Sequence, residues 1–337
     1  MAEQDAPRVR RGVGLLLILV ALTLSLLLSL MVGSNMQPLG ETWRGLIHPD
    51  DSQASVIVWS LRVPRTMLAV VVGVAYGIAG ALIQAITRNP LADTGILGVN
   101  AGAGFAVTLG VTCFGAAGHT AFMWWAMAGA LVTTVLVHLI GSGGRLDASP
   151  VTLVLAGVAL GAVLGGISSA LELMNPTTFE RLRLWGIGTV AVVDTDGALA
   201  MTPYLAAALL IAAAIAGPLN AVALGDDLAT ALGANIILTR VLGVVAVTLL
   251  AGTATALTGG IGFVGLMVPH VVRWFTGPDQ SWVLACSALS APVLVVLSDV
   301  LGRVIVPSGE LQVGIVTAIL GAPVLIVLVR RRRVSGL

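Results

Sequence analysis

The side chains able to do chemistry are few in this sequence, and their spacing mostly excludes reactions. Four histidines, His48, His119, His138 and His270, are scattered along 337 residues. Each reads as a helix-end or packing residue. Cys113 and Cys286 both sit in apolar runs. Isolated in this way, they read as small core residues with no metal spacing and no disulfide framework. The sequence contains no GxxxxGK[ST] loop for nucleotide phosphates, no HExxH or CxxC pair for a metal, and no GxSxG nucleophile elbow. The chain alone is therefore expected to have no catalytic residue, no metal site and no cofactor of its own. Asp299 is the one acid well inside a long apolar region, and Arg303 follows it at i+4. That spacing puts both on one helix face, so a mutually neutralised structural pair is expected.

The solvent that the chain can tolerate dictates the elements that carry these groups. Hydrophobic residues make up 57% of the sequence and charged residues 10%, with a mean hydropathy of +1.02. A soluble domain carries roughly 25% charged residues to cover its water-facing surface. This composition cannot, so most of the exterior must face lipid. Runs free of Asp, Glu, Lys and Arg cover 12–40, 66–87, 148–171, 197–225, 280–298 and 311–329. About 20 apolar residues, each rising ~1.5 Å, cross ~30 Å of hydrocarbon as a helix. Runs at 94–144 and 241–272 hold two crossings each, broken near 115–118 and 258–262. Because the runs are continuously apolar rather than alternating, they predict helices and not a barrel. The expected fold is an all-α polytopic membrane protein with about ten transmembrane helices. It forms a single domain over 1–337, with its bundle at 12–330.

Orientation follows from arginine, since all 17 basic residues are Arg. With both termini cytoplasmic, 11 of them fall inside and six outside, namely Arg44, Arg62, Arg65, Arg181, Arg183 and Arg303. That bias satisfies the positive-inside rule. The first run follows Arg8, Arg10 and Arg11 but is too long for a signal h-region and lacks a clean small-residue cleavage site, so it reads as a retained span. A net charge of +1 gives no reason to expect nucleic acid. Gly73, Gly77 and Gly80 share one helix face, as do Gly157, Gly161 and Gly165, which predicts close helix packing. Pro269 and Pro292 are expected to kink or break their helices.

Four strings go further. Residues 61–65 read LRVPR, 84–98 read QAITRNPLADTGILG, 224–234 read LGDDLATALGA and 259–273 read GGIGFVGLMVPHVVR. SDVLGR at 298–303 and ELQVGIVTAILGAP at 310–323 follow. Arg62, Arg65 and Arg303 lie at outer helix ends, against the positive-inside tendency, and arginine there suits bidentate capture of carboxylates. Their alternative is snorkelling to lipid phosphate. The string Gly225, Asp226, Asp227, Leu228, Ala229, Thr230, Ala231, Leu232, Gly233 reads as a short inner helix. Asp226 is expected to cap it and Gly233 to end it, with Leu228 and Leu232 forming one apolar edge. Such a short helix is marginal in water, so it should dock onto something, or lie on the membrane as a connector. Residues 88–93, RNPLAD, read as a tight inner turn stopped by Pro90.

Together, in this order and register over residues 12–330, the strings resemble the permease family that serves ATP-driven importers of iron–siderophore, haem and vitamin B12. The resemblance implies a permease of the bacterial cytoplasmic membrane, favouring iron–siderophore ligands. It implies an ATP-binding cassette subunit that holds ATP and Mg, an extracytoplasmic substrate-binding protein, and a second permease copy or paralogue. Arg62, Arg65 and Arg303 would receive acidic residues of the binding protein. The helix from Gly225 to Gly233 would enter a cleft on the ATPase, and Ser149 and Pro150 would sit at the cytoplasmic gate. Pro150 and Val151 depart from the family here, which commonly has small hydroxyl residues at this turn. The rival from another class is an ion-coupled secondary transporter, with an intramembrane enzyme third. A secondary transporter needs ionisable residues near the midplane, and the spans offer only helix-end Asp299 and Glu172.

Overall fold

The computed structural model describes residues 2–33, 38–50, 52–143, 150–306 and 309–330, and among them every regular element is helical. The order is α1 (Ala2–Met31), α2 (Leu39–Ile47), α3 (Gln53–Val56), a π-helical segment (Ile57–Arg62), α4 (Val63–Thr87) and a 3₁₀ turn (Thr94–Leu97). Then come α5 (Val99–Phe114), α6 (His119–Ser142), α7 (Pro150–Met174), α8 (Pro176–Ile187), α9 (Thr195–Ala223) and α10 (Asp226–Ala231). The chain closes with α11 (Ile236–Thr258), α12 (Val264–Thr276), α13 (Gln280–Ile305) and α14 (Val313–Arg330). Seven helical stretches are long and apolar enough to cross a membrane, and α5 and much of α14 are shorter apolar helices. The breaks expected near 115–118 and 258–262 fall between α5 and α6 and between α11 and α12.

The bundle is organised around α4. In the continuous helical stretch Gln53–Thr87, 78% of the most apolar window is buried, against 22% in α7 and 22% in α1. Helix α4 packs most heavily on α13, and also on α11, α12 and α9. Glycine sets those distances. A Cβ added at Gly73 would lie 2.6 Å from the Cα of Pro292, and one at Gly80 only 2.0 Å from the Gly265 carbonyl oxygen. Lipid offers no hydrophobic drive between helices, so backbone-to-backbone approach of this kind supplies van der Waals contact instead. The second glycine stripe behaves differently. Around Gly165 nothing lies within 4 Å of an added Cβ, and Val158, Val163 and Ile167 on the same helix are exposed.

Of the two outcomes expected at Pro269 and Pro292, a kink or a break, neither proline breaks its helix. Pro269 lies inside α12 and Pro292 inside α13, and both helices continue through them. At Pro292 the missing donor sits against Gly73, where no side chain competes for space. Pro64, the second residue of α4, has a clearer effect. It has no N–H to give residue 60, and the preceding segment widens into π geometry, with the Val63 N–H reaching the Val58 carbonyl. Of the two cysteines expected in the core, Cys286 is buried but Cys113 is exposed.

Candidate functional site

One charged cluster, at the sequence-predicted outer side, is built on the ends of three helices. On α13, Asp299 and Arg303 pair at i,i+4 as expected, with Nη2 to Oδ2 at 2.5 Å. From α4, Arg65 grips the same carboxylate, with Nε and Nη2 donating to Oδ1 at 3.0 and 2.6 Å. Its remaining Nη1 donates to Glu310 Oε2 at 2.7 Å. The carbonyls left free at the C-terminus of α1 take further guanidinium hydrogens, although Arg303 Nε stays buried without a partner among the described residues. Arg62 donates to Leu30 O at 2.6 Å, and Arg303 to Ser29 O at 3.0 Å and Val32 O at 3.1 Å. Ser29 Oγ, itself 2.7 Å from Thr66 Oγ1, accepts from Arg303 as well.

Burial distinguishes this arrangement from a row of rim charges. Arg62 is 5% exposed and Arg303 4%. Charges so enclosed persist only when paired and fully hydrogen-bonded. A pocket of about 140 Å³ opens beside them, lined by Arg62, Arg65, Arg303, Glu310, Gly33, Ile57 and Leu61. Among the described residues, three guanidiniums stand there beside two carboxylates, Asp299 and Glu310, so the mouth is rich in donors suited to a carboxylate. The arrangement can take up one further carboxylate at its mouth.

At the other end of α4, roughly 37 Å away at 1.5 Å per residue over 25 residues, stands α10. Gly225 (φ 113°) and Gly233 (φ 82°) bracket it, so the chain enters and leaves in conformations that favour glycine. Asp226 does not cap the helix as expected, because Gly225 occupies that position and makes no side-chain cap. The Asp226 carboxylate accepts instead from Arg88, and from Arg240 at 3.0 Å to each oxygen. Partial burial pushes its pKa up, but the Arg88 hydrogen bond and the Arg240 charge outweigh this and hold it below the ordinary carboxylate range. Ala229 faces inward, while Asp227, Leu228 and Leu232 are exposed, the two leucines at 57% and 66%.

Gln84 explains two of the sequence strings structurally. Its amide donates to the carbonyls of Ala92, Gly265 and Leu266 at 3.1–3.3 Å, and its oxygen accepts from Arg273 Nη1 at 2.5 Å. The turn at 88–93 is thereby pinned to α12, and Asn89 Oδ1 accepts from the Leu91 N–H at 3.0 Å within it. Of the two residues expected at the gate, Ser149 lies outside the described residues, and Pro150 opens α7. Sequence reading did not find Glu310, or the roles of Arg88 and Arg240. Arg88 lies 138 positions from Asp226, so no local spacing signals their meeting.

With every regular element helical and seven long apolar helices among the described residues, the chain is a multi-pass membrane protein. Residues 19–331 match the FecCD transport family, and the chain belongs to that family. It is 45% identical over 327 residues to the ferric enterobactin transport system permease protein FepD of Escherichia coli (strain K12), covering 96% of both chains. It is 35% identical to the vitamin B12 import system permease protein BtuC of Yersinia enterocolitica, covering 93% of this chain and 91% of that one. Among solved structures, a transporter assigned to the metal-chelate ABC type, in an inward-facing conformation, matches with a TM-score of 0.81 and 25% identity. That match covers 95% of this chain and 99% of the other.

Proposed function

We propose that this chain is the permease subunit of an ATP-driven importer that accepts iron–siderophore complexes from an extracytoplasmic binding protein. The observation that carries the reading is 45% identity, end to end, with a ferric enterobactin permease. The two charged sites at opposite ends of α4 support it. Seven long apolar stretches together with α5, α12 and α14 give ten crossings, with both termini in the cytoplasm of a bacterial inner membrane. The whole of 1–337 is one permease domain. The outer pocket formed by Arg62, Arg65 and Arg303 receives an acidic side chain of the binding protein. Gly225, Asp226, Asp227, Leu228, Leu232 and Gly233 form the contact with the ATPase, which holds ATP and Mg. The exposed apolar face of α7 packs on a second permease, with Ser149 and Pro150 at the inner gate.

The test is uptake by cells lacking their own permease, supplied with this chain and its cognate ATPase and binding protein. Iron from ferric enterobactin should accumulate, and cobalamin should not. Cobalamin or haem uptake without ferric siderophore uptake would overturn the ligand assignment.

A further inference from the structure

We propose that Arg88 and Arg240 are positioning residues that latch the ATPase-contacting helix α10 to the inner ends of α4 and α11, making α4 the rod that carries its motion outward. The inference rests on the permease reading and deepens it.

Helix α10 has six residues, too few to hold its own place in water. What fixes it is one carboxylate shared by two guanidiniums. Arg88, the residue that closes α4, stands in the left-handed region at φ 48° and bonds Asp226 through Nη2. Its Nε donates to the Val222 carbonyl at 2.9 Å, in the last turn of α9. One side chain therefore joins α4, α9 and α10, and Arg240 adds the first turns of α11.

Magnitude separates positioning from stability. The three side chains are 33%, 47% and 18% exposed for Arg88, Asp226 and Arg240. Ion pairs this wet contribute little to folding, so the bundle stands without them. Asp226 stays ionised at neutral pH and turns toward the bundle, while its neighbour Asp227, with Leu228 and Leu232, remains exposed for a partner. The rest of α4 transmits force well. Gly73 and Gly80 seat it directly on α13 and α12, and Arg65 at its far end is bonded to Asp299 and Glu310. A tilt imposed on α10 thus reaches the outer pocket through one helix.

The experiment compares wild type with Arg88→Gln, Arg240→Gln, the double variant and Arg88→Lys, each purified with its ATPase in phospholipid nanodiscs. The ATPase should co-purify normally with every variant. Hydrolysis stimulated by a binding protein loaded with ferric enterobactin should fall at least about fivefold in Arg88→Gln, the scale of a lost coupling energy. Arg88→Lys should be intermediate, since an ammonium reaches the carboxylate but not also the Val222 carbonyl. Unchanged stimulation in the double variant overturns the latch, and so does loss of the ATPase from Arg88→Gln, which would make Arg88 a contact residue. A wild-type chain that retains no ATPase sinks the permease reading itself.

Discussion

Asp299 is the acceptor on which the outer cluster turns, because Arg65 and Arg303 both bond it and it is 1% exposed. Asp299→Ala leaves the buried Arg303 and the partly buried Arg65 short of their anion. Breaking a buried pair in this way costs about 3–5 kcal/mol, so the thermal unfolding midpoint in detergent should drop by many degrees, and an unchanged midpoint would show that the carboxylate is no anchor. The i,i+4 half of the cluster was legible in the sequence, since helical spacing alone brings Asp299 and Arg303 together. Arg65, 234 positions from Asp299, reads in the sequence as a rim charge rather than as a partner of that acid. Nothing local could reveal that it shares that carboxylate. Glu310 lines the same pocket at 32% side-chain exposure and is dispensable to the core. Removing its charge in Glu310→Gln makes the pocket more positive, so binding-protein association should accelerate a fewfold at low salt and converge with wild type at high salt. Equal rates at low salt would remove electrostatic docking from this pocket.

Among the elements, the α4–α13 and α4–α12 crossings are the tightest test of packing. Gly80→Ala must push apart two backbones, and overpacking of this kind costs roughly 1–3 kcal/mol. Gly165→Ala, with open space around it, should leave the isolated chain's melting point unchanged. Equal midpoints for the two variants would contradict the packing account. The pattern of glycines was readable in both stripes, yet only the contacts distinguish a packed stripe from one facing outward. Long apolar spans and their glycine-rich breaks were legible because bilayer thickness fixes their length. Helices α2 and α8 were not, being short, mixed in polarity and embedded in stretches that read as loops. Asn175 does mark α8, accepting from the Thr177 and Thr178 N–H groups ahead of Pro176 at the first turn. Helix α10 was found from the spacing between its glycines, but the partner of Asp226 was misread. A lone acid at a helix start suggests a cap, and the two arginines that claim it arrive from distant turns.

For the whole molecule, the account makes the bundle a passive lever. Its most buried carboxylate, Asp299, is shared by Arg65 and Arg303, and α10 at the far end of α4 presents two exposed leucines and an acid. A bundle of this kind changes state only when something binds its two conformations with different affinity. The most direct measurement is uptake of ferric enterobactin into proteoliposomes that hold this chain with or without its ATPase, supplied with loaded binding protein. Accumulation should require both the ATPase and ATP, and should disappear in the Asp227→Arg, Leu228→Glu double variant. Accumulation by the chain alone, driven by an imposed proton or sodium gradient, would contradict the account.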